Sequence, residues 1–261
     1  MTPLLIDSHC HLDNLGLNGA LDYVSQLDAK NLRMLLLAST CPNDWLLNSQ
    51  VAEHSDRVRV YYGLHPLEVS ERWEEDLERL RTYLPHAIGI GEIGLDFHGA
   101  FDKEHIPQMK LQMKAFEYQV HLAQRYHLPI VIHCRDAFFA IKEILMHTQF
   151  DLSRVLFHCF VEDLEAAQWI IENGGFVSYS GVITFKRAGS TLGTAPWVPL
   201  ERMVIETDSP YLTPVPFRGQ HNIPEYVRYV AEKLAEIKQI SFADCAKITA
   251  ENALRFFNIN H

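Results

Sequence analysis

Eight short apolar runs separated by longer stretches of helical periodicity constrain this chain more than any other feature. They read LLIDSH (4–9), RMLLLAS (33–39), VRVYYGL (58–64), AIGIGE (87–92), PIVIHC (129–134), RVLFHCF (154–160), GFVSYSG (175–181) and RMVIETD (202–208). Each has the length of a strand, and all but RMLLLAS carry β-branched residues. Between them, WEEDLERLRTYL (73–84), KLQMKAFEYQVHLAQRY (110–126) and DLEAAQWIIENGG (163–175) carry apolar residues three and four apart and predict helices. Gly174 and Gly175 stop the last of these directly before a strand. Strands alternating with helices imply parallel βαβ units, and about eight units with both strand faces apolar predict closure into a (β/α)₈ TIM barrel. A doubly wound open sheet is the alternative.

Barrels of about 250 residues form one domain, so residues 1–261 read as a single domain. After the eighth run, PEYVRYVAEKLAEIKQ and SFADCAKITAENALRFFN give two more helices, the second capped by Ser241. Phe256 and Phe257 read as core packing of that last helix. The long loop TPVPFRGQHNIP (213–224) follows the eighth strand, where barrel loops serve function.

Hydrophobic residues at 48% and charged residues at 21% exclude disorder. The segment MTPLLIDSHCHLD lacks the basic stretch of a signal peptide, and no apolar run approaches the roughly 18 residues that cross a bilayer. A cytoplasmic protein without membrane contact is expected. Five cysteines with no CxxC pair read as reduced thiols, in keeping with that compartment. The net charge of −10 excludes broad, non-specific binding to duplex nucleic acid.

The chemistry lies at the ends of the runs. In HCH (9–11) two imidazoles two residues apart leave a strand end on the same side, where both can meet one cation. Glu92, His133, His158 and Asp208 end or follow four other runs. In a barrel these ends converge on one face, so six metal-competent side chains share one rim, and a metal cluster would satisfy them all. Cys10, Cys134 and Cys159 each adjoin a candidate His, and strand alternation turns them toward the helices, away from any metal. Nitrogen and carboxylate ligands suit Zn²⁺ or Mn²⁺, with Mg²⁺ open to a carboxylate-rich half. Glu92 lies between the HCH strand and the two later His strands and is placed to bridge two cations. Such a pair would lower the pKa of a shared water, with Asp208 taking its proton.

HCHLD (9–13), GLHP (63–66), GEIGLDF (91–97), LPIVIHCRDA (128–137), FHCF (157–160), SYSGVITFKRA (178–188), IETDSPYL (205–212) and RGQHNIP (218–224) together resemble the TatD family of metal-dependent hydrolases, within the amidohydrolase superfamily. The resemblance spans the chain. It implies a TIM barrel, metal-dependent deoxyribonuclease activity, and two divalent ions: His9, His11, Glu92 and Asp208 at one, Glu92, His133 and His158 at the other. The chain departs from the family after HCF, where Val161 and Glu162 replace the usual Ser-Gly and add an acidic group. Related amidohydrolases often bridge their metals with a modified lysine, which AIGIGE lacks, so Glu92 fits a glutamate-bridged branch.

Three further residues are candidates for substrate contact. His65 is a hydrogen-bonding group for a phosphate or leaving group, or else orders its loop before Pro66. Arg135 is an anion fork, or else a salt-bridge partner of Asp136. Arg218 is a loop residue reaching the mouth, or else solvated. Asp96 reads as a loop or helix-cap residue. The function expected is phosphodiester hydrolysis, exonuclease-like, on single-stranded DNA or another phosphoester, by a monomer or weak oligomer. The alternatives are a metal-dependent amide or ester hydrolase, including one that deacylates aminoacyl-tRNA, and a binding protein that merely retains the barrel.

Overall fold

All eight apolar runs form strands in the computed structural model, which describes residues 5–100 and 104–260. Leu4, where the first expected strand begins, and His261 lie outside these residues. The strands are β1 (Leu5–Cys10), β2 (Leu32–Ser39), β3 (Val58–Tyr62), β4 (Ile90–Asp96), β5 (Ile130–Arg135), β6 (Val155–Phe157), β7 (Phe176–Tyr179) and β8 (Met203–Ile205). They pair in parallel in the order β1 to β8. Backbone bonds from Asp208 N–H to the His9 carbonyl (2.9 Å) and from His11 N–H to the Ser209 carbonyl (2.8 Å) join the β8 exit to β1. The sheet is thereby a nearly closed barrel, not an open sheet.

Helices α1 (Gly16–Ser25), α2 (Pro42–Glu53), α3 (Trp73–Leu80), α4 (Ile106–Tyr126), α5 (Phe138–His147), α6 (Leu164–Glu172), α7 (Thr191–Thr194), α8 (Val227–Lys238) and α9 (Phe242–Phe256) follow the strands. The expected helix 73–84 ends at Leu80, and a separate 3-10 turn, Leu84–His86, carries Pro85, whose missing N–H could not continue the α-helix. The helix expected from Lys110 instead starts at Ile106, with Pro107 in its first turn, where a missing N–H costs nothing. Ser241 caps α9 by accepting the Asp244 amide at 3.0 Å, and Asp163 caps α6 by accepting that of Ala166 at 2.9 Å.

Strand alternation sorts the core into two parts. Leu35, Val60, Ile93 and Ile132 pack outward against the helices. Ile6, Leu36, Tyr61, Val131, Leu156, Phe176 and Val204 fill the barrel interior together with Leu254, Phe256 and Phe257 of the α9 end. Tyr61 stacks on Phe257, with centroids 5.6 Å apart and planes 6° from parallel. The last helix therefore floors the barrel, and its polar end is the opposite one, where the strands finish. No helix among the described residues is long and apolar enough to cross a membrane.

Candidate metal centre at the barrel mouth

β1 delivers His9 and His11 together. A register shift between Asp7 and Cys10 swings His9 inward, and buried Asp7 fixes that bend by accepting N–H from His9 (3.3 Å) and Thr207 (2.9 Å) and the Thr207 hydroxyl. The two Nε2 atoms lie 3.2 Å apart. Asp208, just past β8, has left-handed backbone (φ 57°) and presents Oδ1 3.5 Å from His11 Nε2 and 3.6 Å from His9 Nε2.

Glu92 is the hub. Its Oε1 lies 2.8 Å from His133 Nδ1, 2.8 Å from His158 Nε2 and 3.2 Å from His65 Nε2, while Oε2 lies 3.3 Å from His9 Nε2. One carboxylate thus touches the HCH side with one oxygen and the β5–β6 side with the other. Glu92 does not end its strand as expected: β4 runs on to Asp96, because Ile93 and Leu95 continue the outward apolar face beyond it.

That extension corrects the reading of Asp96. It is buried at the end of β4, with Oδ2 3.1 Å from His133 Nε2, although it also orders the following loop by accepting the His98 amide. Glu206 was not foreseen either. It is fully buried, its Oε1 3.2 Å from His158 Nδ1. The signal was available: Glu206 is two residues after Val204, which fills the barrel interior, and shares its inward parity.

The electrostatics are those of a charged cluster out of water. Burial opposes the charge on Glu92 and Asp208, yet the surrounding imidazoles hold Glu92 well below the ordinary range and His11 with its neighbours lowers Asp208. Burial would also depress His11, but the hydrogen bond and charge of Asp208 push it up to about 9. Against their burial, His133 is raised by Asp96 and Glu92 and His158 by Glu92 and Glu206, whereas burial and the charge of His158 lower His9. A rim of imidazole nitrogens turned on one another and on carboxylates, with His9 Nδ1 and Glu206 Oε2 buried and unpartnered among the described residues, is a donor set that fits divalent cations. His9, His11 and Asp208 place ligand atoms within 4.8 Å of one another, as do His65, Glu92 and His133.

His65 differs in its proton. Its Nδ1 accepts the Leu67 amide at 3.2 Å, so in the neutral ring the proton sits on Nε2 and points at Glu92. That is a donor's tautomer. Arg135 is exposed at the β5 exit and makes no salt bridge to Asp136, which pairs with His98 at 2.8 Å; its charge reaches Asp96. Arg218 makes no bond to the six: its guanidinium lies 4.0 Å over Phe185 and donates to the Thr213 carbonyl at 2.8 Å, tying two mouth loops together.

Of the cysteines, Cys10 and Cys134 pack with the outward, helix-facing core, as expected, Cys10 toward the Leu36 carbonyl. The Cys134 sulfur also meets Glu162 at 3.4 Å, and burial holds the Glu162 carboxyl above its ordinary range. Cys159 lies beyond β6 with φ 42°, so strand parity no longer applies, and its sulfur faces Ser180 at 3.2 Å.

The family model described as TatD related DNase matches residues 6–258. The uncharacterized metal-dependent hydrolase YcfH of Escherichia coli K12 is 33% identical over 262 residues, covering 98% of this chain and 96% of that protein. YabD of Bacillus subtilis, also an uncharacterized metal-dependent hydrolase, is 34% identical over 260 residues, covering 98% and 100%. The crystal structure of the TatD homologue YjjV from Escherichia coli K12 superposes with a TM-score of 0.89 at 26% identity over the whole of both chains.

Proposed function

Because this chain belongs to the TatD-related DNases and is a metal-dependent hydrolase of that family, we propose that it hydrolyses phosphodiester bonds at the end of single-stranded DNA or a similar phosphoester. One observation carries the reading: the Glu92 carboxylate spans the His9 side and the His133–His158 side of one buried rim. His9, His11, Glu92 and Asp208 would hold one divalent cation, and Glu92, His133 and His158 a second. Bound there, the ions would supply Lewis-acid stabilisation to the phosphoryl oxygens and make water acidic enough to attack.

The chain's own residues do the rest. The Asp208 carboxylate accepts the proton of the attacking water. His65 Nε2–H donates to a phosphate oxygen, and Arg135, without an ion-pair partner among the described residues, offers its fork to the same phosphate or the next. Tyr211 is 62% exposed with its ring 6.1 Å from that of His11, which suits it to flank a terminal base. A site that binds one strand end needs no broadly basic surface, so a net charge of −10 is compatible with this substrate. One domain in the cytoplasm, acting as a monomer or weak oligomer, completes the reading; the five free thiols support the compartment.

The test is an assay of metal-loaded protein on end-labelled single-stranded DNA beside carboxylic esters, lactams and aminoacyl-tRNA. Shortening of the labelled strand is expected, and activity confined to the carbonyl substrates would overturn the proposal. Glu92→Ala should abolish turnover and deplete bound metal, measured by mass spectrometry on unchelated protein; full metal content with full activity would refute the bridge.

A further inference from the structure

Beneath the rim lies a carboxylate that this chemistry does not use. His9 and His158 stack face to face, ring centroids 4.1 Å apart and planes 15° from parallel. Both turn Nε2 toward Glu92, at 3.3 and 2.8 Å. On its other edge His158 presents Nδ1 to Glu206 Oε1 at 3.2 Å, and the same oxygen accepts the Cys159 amide at 2.8 Å, which fixes the carboxylate in place. His9, His158 and Glu206 each bring a nitrogen or oxygen within 4.8 Å of the other two. Glu206 is 0% exposed, and its Oε2 and His9 Nδ1 are both buried without a hydrogen-bond partner among the described residues.

An imidazole that gives its Nε2 lone pair to a cation carries its proton on Nδ1, and a buried N–H needs an acceptor. Glu206 Oε1 accepts from His158. The unpartnered donor on His9 and the unpartnered acceptor on Glu206 are the two ends that one ordered water can join. We infer that Glu206 is a positioning residue that sets the Nδ1–H tautomer of His158 directly and of His9 through a bound water, so that both rings offer Nε2 to the metal centre. This rests on the proposed two-metal reading. A third cation in the same place is the rival, but it would demand the Nδ1 proton of a ring whose Nε2 is already committed, leaving an imidazolate. Glu206 therefore acts on the metals through histidine.

The experiment uses full-length protein, stripped by chelator and titrated with Zn²⁺ against a chromogenic competitor, with long-range ¹H–¹⁵N spectra of the imidazoles recorded on metal-free and loaded samples. Glu206→Ala should weaken Zn²⁺ binding about 10- to 100-fold at unchanged stoichiometry and, in the metal-free sample, remove the Nδ1–H signature of His158. Glu206→Gln keeps an acceptor and the side-chain volume, so it should retain the signature with a smaller loss, and it carries the test if the alanine variant does not fold. Unchanged affinity in a folded variant, or loss of one whole ion on Glu206→Gln, would overturn the inference. Failure of the two-metal reading would look different: the wild type would bind fewer than two ions, or Glu92→Gln would leave Zn²⁺ binding intact.

Discussion

Gly94 sits two residues beyond Glu92 with φ 140°, and a Cβ there would lie 2.0 Å from the His133 carbonyl oxygen. The close approach lets β4 and β5 set Glu92 and His133 side by side. Gly94→Ala should therefore push the β5 end away, lowering stability by about 1–3 kcal/mol from overpacking alone and reducing bound metal, read by thermal melting and metal analysis. A second prediction concerns charge in metal-free protein. His11 is carried from its ordinary value of 6.5 to about 9, above its unfolded value. Its contribution is full below about pH 6.5 and is lost as pH rises through 9. Chelator-treated protein should show a falling Tm between pH 7 and 9, and His11→Gln should flatten that slope; an identical slope in the variant would refute the assignment to His11. The six candidate ligands are legible because residue type and position at the close of an apolar run agree. Asp96 and Glu206 are not, since β4 continues past the close of its apolar run at Glu92 and Glu206 lies inside the run that closes at Asp208. The tautomer of His65 was beyond reach, because the Leu67 amide that sets it shows only in the loop's geometry.

At the scale of elements, side chains from helices and loops hold the strand ends. Gln119 of α4 clamps both backbone groups of Leu64 (2.8 and 3.2 Å), the residue before His65. Asn222, in the RGQHNIP segment, donates to the carbonyls of Thr207 and Tyr211 on either side of Asp208. The long loop after β8 was expected to serve function at the mouth; what its buried asparagine does is fix the turn that carries the acid. Asn222→Ala leaves the buried Thr207 carbonyl and the part-buried Tyr211 carbonyl short of a donor, at about 1–3 kcal/mol at most for the buried one. It should lower kcat more than it raises KM, because the misplaced group is Asp208 and not a substrate contact; a pure KM effect in steady-state kinetics would contradict this. Alternation of apolar runs with helical stretches made every strand visible in the sequence, whereas these clamps depend on contacts 11–55 residues apart, which no local pattern records.

For the whole molecule, the barrel is polar at one end and sealed at the other. Phe257 closes the floor against Tyr61 and stands nearly perpendicular to Phe256 (89°). Phe257→Ala should cost roughly 3–5 kcal/mol, a fall of roughly 6–20 °C in Tm at about 2–4 °C per kcal/mol for a chain near this size, measured by calorimetry. A smaller loss would mean that α9 packs without closing the barrel. The seal also has a bearing on traffic. On the proposed function, a strand cannot thread through a barrel that is blocked below its candidate ligands, so it would dip only its end into the mouth. The fragment cut from it would then back out by the door the remaining strand still occupies, which would make release and re-entry, and not continuous feeding, the rhythm of turnover.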